Sequence, residues 1–166
     1  DLIETLLTEP ERVAENPALV EWLVRRRFEQ ARHESSRQAA RALAEGAGEA
    51  SWRQIGWYWA GVNESELGHE AEALRCFGQS VAQAASTREG AEAQLLLAAL
   101  ELKEGRHEKA RERYSAAAES ATGEDALDIR ARAYFGLGET AAAAGDPGQA
   151  ARHFMSVAVL FDDSEL

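Results

Sequence analysis

Apolar positions recur at helical spacing along nearly the whole chain, three or four residues apart, and there is no convincing run of alternating β-branched residues; both features predict helices. Leu2, Ile3, Leu6 and Leu7 predict a short leading helix over 2–8, with Pro10 marking the break after it. Pro17 opens a longer helix to about His33, with Asn16 as its N-cap and Leu19, Val20, Leu23 and Phe28 available for burial. A helix over 36–45 follows, with Ala39, Ala40 and Leu43 inward, ending at Gly46 and Gly48. Six more helices are predicted over 52–67, 70–86, 89–104, 107–120, 126–144 and 147–159, the last opening on an Asp146 cap with proline at the first helical position.

The turns between these helices repeat. Gly68, Ala73 and Phe77 in LGHEAEALRCF are followed by Gly105, Ala110 and Tyr114, and then by Gly145, Ala150 and Phe154, all with Gly-x4-Ala-x3-aromatic spacing. The glycine suits the left-handed turn that ends one helix, and the small alanine lets the next helix sit close. The aromatic, one turn further along the same face, fills the space beside that approach. A lone hairpin cannot cover its own apolar faces, so three copies imply stacking around a continuous core. The fold class expected is all-α, a right-handed α-solenoid of antiparallel helical hairpins. Its divisions are a divergent N-terminal cap hairpin over 1–50, repeats over 51–88 and 89–125, and a third repeat over 126–166 with a truncated end. The tail FDDSEL and the absence of an initiator Met suggest a piece of a longer protein.

Composition narrows the function classes. At 166 residues, 45% hydrophobic and 28% charged, the chain can bury one sizeable core. A formal net charge of −11 argues against general nucleic-acid binding and against anionic membranes. No apolar run is long enough for membrane insertion. The single cysteine, Cys76, excludes an internal disulfide and reads as a small core residue. One basic cluster, Arg25, Arg26, Arg27, Arg32, Arg37 and Arg41, reads either as a solvated face or as a dock for an acidic partner or the acidic end of a second copy. His33, His69, His107 and His153 sit in or near turns with no second ligand at metal-like spacing. Gly136-x-Gly138 lies within a helix after no strand, so it is not a phosphate-binding turn. Trp57 is expected in the core, as are Trp52 and Trp59, although exposure of these two would suit stacking on a ligand. No metal, cofactor or catalytic constellation emerges, and the chain is expected not to be an enzyme.

Over about 52–161 the sequence resembles tetratricopeptide repeats. Trp57, Ala60 and Gly61 match the first-helix signature, as do Leu97 and Ala98, and Tyr134, Leu137 and Gly138. Gln94 stands where the second copy would have its aromatic, Glu64 and Glu101 occupy a position usually aromatic, and the closing proline is absent. The turn glycines are 37 and 40 residues apart, longer than the family's repeat. The resemblance implies a concave surface lined by the first helix of each repeat. On that register the exposed positions are Ile55, Tyr58, Val62 and Ser65, then Glu92, Leu95, Ala99 and Leu102, then Arg132, Phe135, Glu139 and Ala142.

The partner-binding residues expected are Ile55, Tyr58, Val62, Leu95, Ala99, Leu102, Arg132, Phe135 and Glu139, forming an apolar trough for a peptide or amphipathic helix of a partner protein. The lysine-rich carboxylate clamp known in the family is not present. The alternative is a structural or self-associating segment of a longer solenoid, forming homo-oligomers through its ends. Arginine outnumbers lysine and the last helix is similar to repeats of bacterial envelope proteins; both suggest a bacterial source, with the periplasm or envelope favoured over the cytoplasm.

Overall fold

The computed structural model describes residues 7, 9–83, 86–123 and 126–162, with side chains as far as 159. Among the described residues there are nine α-helices and no strand. They are α1 (Pro10–Glu15), α2 (Pro17–Glu29), α3 (His33–Gly46), α4 (Ala50–Glu66), α5 (Glu70–Val81), α6 (Arg88–Lys103), α7 (His107–Ser120), α8 (Leu127–Ala143) and α9 (Pro147–Asp162). The fold is therefore the all-α helical-repeat class that the spacing implies. The leading helix expected over 2–8 falls outside the described residues, apart from Leu7. The chain divides into two compact units, Asp1–Gly90 and Ala91–Leu166.

The repeated glycines act as their spacing predicts. Gly68, Gly105 and Gly145 have φ of +79°, +74° and +81°. Each turn also carries the same pair of bonds. In the first, the Gly68 amide donates to the Ser65 carbonyl at 3.0 Å and the His69 amide to the Glu64 carbonyl at 2.8 Å. Gly105 with Arg106, and Gly145 with Asp146, repeat the pattern. These bonds satisfy carbonyls that the last helical turn would otherwise leave unpaired.

A fourth copy of this turn lies in the N-terminal hairpin. Ala31 has φ of +54°, its amide donates to the Phe28 carbonyl at 2.8 Å, and the Arg32 amide donates to the Arg27 carbonyl at 2.9 Å. The cap hairpin thus shares the repeat's backbone geometry while replacing its signature residues. Ser36 and Ala40 stand where alanine and the aromatic would be. Because a side chain in the left-handed region is strained and glycine there is not, Ala31→Gly should stabilise the first unit by about 1 kcal/mol. All four tryptophans lie within the first unit, so a urea titration followed by tryptophan fluorescence reads this change; a lower midpoint would contradict it.

Several local expectations need correction. Pro10, expected only as a break, also opens α1, since the first turn needs no amide there. Asn16 occupies the N-cap position of α2 as expected but makes no side-chain capping bond; its Nδ2 donates back to the Arg12 carbonyl at 3.1 Å. The helix expected over 70–86 stops at Val81. Asp146 does cap α9, accepting from the Gln149 amide at 2.9 Å.

In the first unit, α3 packs on α4 and α4 on α5. Leu23, Val24, Ala39, Ala40, Ala60 and Cys76 form one core cluster, and Val13, Val20, Leu43 and Ala47 another. Trp57 and Trp59 are half-buried against the first cluster and Trp52 against the second. The exposed tryptophan is Trp22. Burial pushes the Cys76 thiol above its ordinary pKa, consistent with a packing role.

Gln54 joins three elements of this unit. Its Nε2 donates to the Ser80 carbonyl at 3.1 Å, and Ser80 Oγ donates to the Gln54 carbonyl at 2.9 Å. Its Oε1 accepts from the amide and hydroxyl of Thr87, and Thr87 Oγ1 accepts from the Gly90 amide at 3.0 Å to cap α6. A buried amide bonded through both its nitrogen and its oxygen sets the register of α4, α5 and the start of α6.

In the second unit one core runs through α6, α7 and α8, with Leu95, Ala98, Ala110, Tyr114, Ala117, Ile129, Ala133 and Leu137 as its main members. The repeat aromatics differ here. A Cβ added at Gly61 would meet the Phe77 ring at 2.6 Å, and one at Gly138 would meet the Phe154 ring at 2.4 Å. The equivalent residue in the middle copy is Ala98, which lacks that room, and Tyr114 lies instead against Gly136, 2.4 Å from where a Cβ would stand. Both glycines of Gly136-x-Gly138 are therefore seats for aromatic rings.

Candidate functional site

Arg132, Phe135 and Glu139 project from one stripe of α8 because they are spaced three and four residues apart. Leu95 and Ala99 of α6 share a pocket with them, together with Leu96, Tyr114 and Val157. Its volume is about 520 Å³, and its walls are mostly apolar. That volume is in the range of sites that accept several large side chains. Phe135 is 50% exposed and Leu96 is 39% exposed, although both are large apolar residues. Phe135 is held from one side by Phe154, with ring centroids 5.4 Å apart.

Charged groups stand at the rim. Arg132 Nη1 bridges both carboxylate oxygens of Glu92, at 2.9 and 2.8 Å, and so ties α8 to α6. Asp128 and Glu139 also line the pocket, and both are exposed. Burial raises the pKa of the Tyr114 phenol and the nearby Glu139 carboxylate raises it further, so the pocket floor holds a neutral hydroxyl at physiological pH.

Five of the nine residues expected from sequence thus come together in one pocket: Leu95, Ala99, Arg132, Phe135 and Glu139. Leu95 is 4% exposed and serves the core as well as the pocket wall. Leu102 packs against the core of the second unit. Ile55 is half-buried against Val13, Val20, Leu43 and Ala47. Tyr58 is half-buried, with its ring near Trp59 and Phe77 at 5.6 and 6.1 Å, and Val62 is half-buried as well. Leu96 and Val157 were not singled out. An i, i+3 reading along each first helix passes over Leu96, and Val157 is brought in by the second helix of the hairpin.

The arginine cluster divides: Arg25, Arg26 and Arg32 are exposed, as a solvated face requires, whereas Arg37 and Arg41 turn toward a buried carboxylate. Arg37 and Arg41 of α3 converge on Glu64 of α4, whose side chain is 1% exposed, at 3.3 and 3.0 Å. His69 Nδ1 lies 2.8 Å from the same carboxylate. Arg41 also pairs with Glu72, which Arg75 and Arg41 together hold down to a pKa of about 2. Burial would raise the Glu64 pKa, but the hydrogen bonds from His69, Arg41 and Arg37 outweigh it and leave the carboxyl below its ordinary value. Arg25 pairs with Glu21 and Glu89 and lies over the Trp59 ring, 5.0 Å from its centroid. Glu101 sits at the place equivalent to Glu64 and pairs with Arg106, the residue after the turn glycine. The two carboxylates that break the aromatic pattern are therefore ion-pair centres.

Among the described residues no group of His, Cys, Asp or Glu is arranged to hold a metal ion, and no helix is long and apolar enough to cross a membrane. These features describe a helical-repeat protein with an open apolar pocket. Residues 91–158 match the tetratricopeptide repeat family, a stretch that begins with the second unit and ends within α9. Such repeats generally mediate contacts between proteins. No curated protein matches the chain.

Proposed function

We propose that the protein is a non-catalytic interaction scaffold that takes the apolar face of a partner peptide or helix into the pocket between α6 and α8. The observation that carries this reading is the pairing of an open 520 Å³ apolar pocket with Phe135 and Leu96 left exposed on its walls. Exposed apolar surface gathered in a concavity and rimmed by charge is the usual form of a recognition site. Burying one large apolar side chain there contributes about 2 kcal/mol, enough to anchor a short segment but not to bind it tightly alone. The Arg132–Glu92 bridge holds the two walls at fixed separation, which reduces the ordering cost of binding. Ile55, Tyr58 and Val62 on α4 belong to the proposal as a further contact.

The experiment is selection of a displayed peptide library on the 166-residue chain, followed by affinity measurements on the recovered peptides. Phe135→Asp is expected to weaken them at least tenfold while leaving the thermal melt in place, because the side chain is half in water. Tyr58→Ala reports the α4 contribution in the same assay. Peptides whose affinity ignores both Phe135→Asp and Leu96→Asp would place binding elsewhere and end this reading.

A further inference from the structure

We infer that the partner segment places a carboxamide side chain, asparagine or glutamine, on the floor of this pocket beside its apolar anchors. The inference rests on the pocket reading above and adds the polar group that the segment must carry. It starts from Tyr114, which is 6% exposed and lines the pocket. Among the described residues no group is hydrogen-bonded to its hydroxyl. A side chain that fills the pocket strips water from this O–H, and a buried donor left unpaired opposes binding. A purely aliphatic tip therefore meets a penalty at the floor even though the walls favour it. Phe135 and Leu96, 50% and 39% exposed, are left for the apolar anchors.

A second polar group stands beside the first. The Tyr114 ring lies against Gly136, and Glu139 is one turn further along the same face of α8. Burial raises the pKa of the phenol, and the Glu139 carboxylate is near enough to raise it further. The pocket thus offers one donor and one acceptor side by side. A carboxamide carries the complement: a carbonyl oxygen to accept from the Tyr114 hydroxyl and an NH2 to donate to Glu139. An ammonium tip has no acceptor for the phenol, and a carboxylate tip has no donor for Glu139 and meets it as a like charge.

The test selects a random displayed peptide library in parallel on the full chain and on its Tyr114→Phe variant. Asparagine or glutamine is expected to be enriched severalfold at one position by the native chain, and leucine or methionine to take that position on Tyr114→Phe. In the best recovered peptide, exchange of the carboxamide residue for norleucine should weaken binding to the native chain about tenfold and leave binding to Tyr114→Phe unchanged, read by fluorescence anisotropy. Glu139→Ala should remove part of the same preference. Tyr114→Phe should also keep the thermal melt of the native chain, since the hydroxyl has no partner to lose; a lowered melt would overturn the inference. Peptides that Phe135→Asp weakens but Tyr114→Phe does not, or that Tyr114→Phe weakens equally whatever their side chains, would overturn the carboxamide assignment and leave the pocket standing. Recovery of no peptide, or binding indifferent to both Phe135→Asp and Leu96→Asp, would remove the pocket itself.

Discussion

Glu64→Ala is expected to destabilise the first unit by about 3 kcal/mol. The carboxylate is 1% exposed and receives Arg37, Arg41 and His69. Deleting it leaves two guanidinium groups facing each other across a cavity. Two effects decide the size. Loss of a partner from a fully buried pair costs 3–5 kcal/mol as a rule. Here Arg37 and Arg41 keep 24% and 32% of their side chains in water, so each can turn outward and recover part of its hydration. The lower end of the range therefore applies. Urea unfolding followed by tryptophan fluorescence measures it.

A pH series separates the ion pairs from packing. The folded Glu64 carboxyl has a pKa below its ordinary 4.5. The stability it contributes is thus complete above about pH 4.5 and is lost as the pH falls through the folded value. The stability gap between the wild-type chain and Glu64→Gln should be full at pH 7 and narrow on acidification toward pH 3. A gap that stays constant over that range would show that the carboxylate charge contributes nothing. Glu72 shares Arg41, so Glu72→Gln serves as the control for coupled titration.

The second large effect is expected at Gly56, where Gly56→Ala should cost about 3 kcal/mol. A Cβ there would stand 2.4 Å from the Ala44 nitrogen, 2.7 Å from its Cα and 2.9 Å from the Ala40 carbonyl oxygen. Every obstacle is backbone of α3, so the two helices must move apart along the whole contact. The roughly 1 kcal/mol by which alanine favours a helix interior over glycine does not cover that. Gly138→Ala is the comparison. Its obstacle is the Phe154 ring, which is 37% exposed and can swing toward solvent, so the cost should stay near 1 kcal/mol. Far-UV circular dichroism during urea unfolding compares both units; equal losses at the two glycines would contradict the distinction between backbone and side-chain obstacles.

The sequence by itself determined the helical period, the hairpin turns and the repeat, because these depend on local chemistry. A glycine at a left-handed turn, a buried alanine five residues on and an aromatic four beyond that leave a regular trace in one dimension. The stripe of Arg132, Phe135 and Glu139 was legible through the resemblance to tetratricopeptide repeats, which supplied the register of the expected face, and their spacing puts them on one side of the helix. Ala31 marks the limit of that reading. Its backbone has the repeat's left-handed turn, but alanine carries no signal of it. Only tertiary structure decided the rest. Glu64 looked like a flaw in an aromatic position until Arg37 and Arg41, on another helix, were placed against it. Gly136 had no local purpose until Tyr114 from the preceding hairpin occupied the space beside it. Val157 joined the pocket from a helix outside the expected lining. In each case the deciding interaction joins residues far apart in sequence, and a repeat pattern records how a hairpin is built but not which side chains meet when hairpins pack.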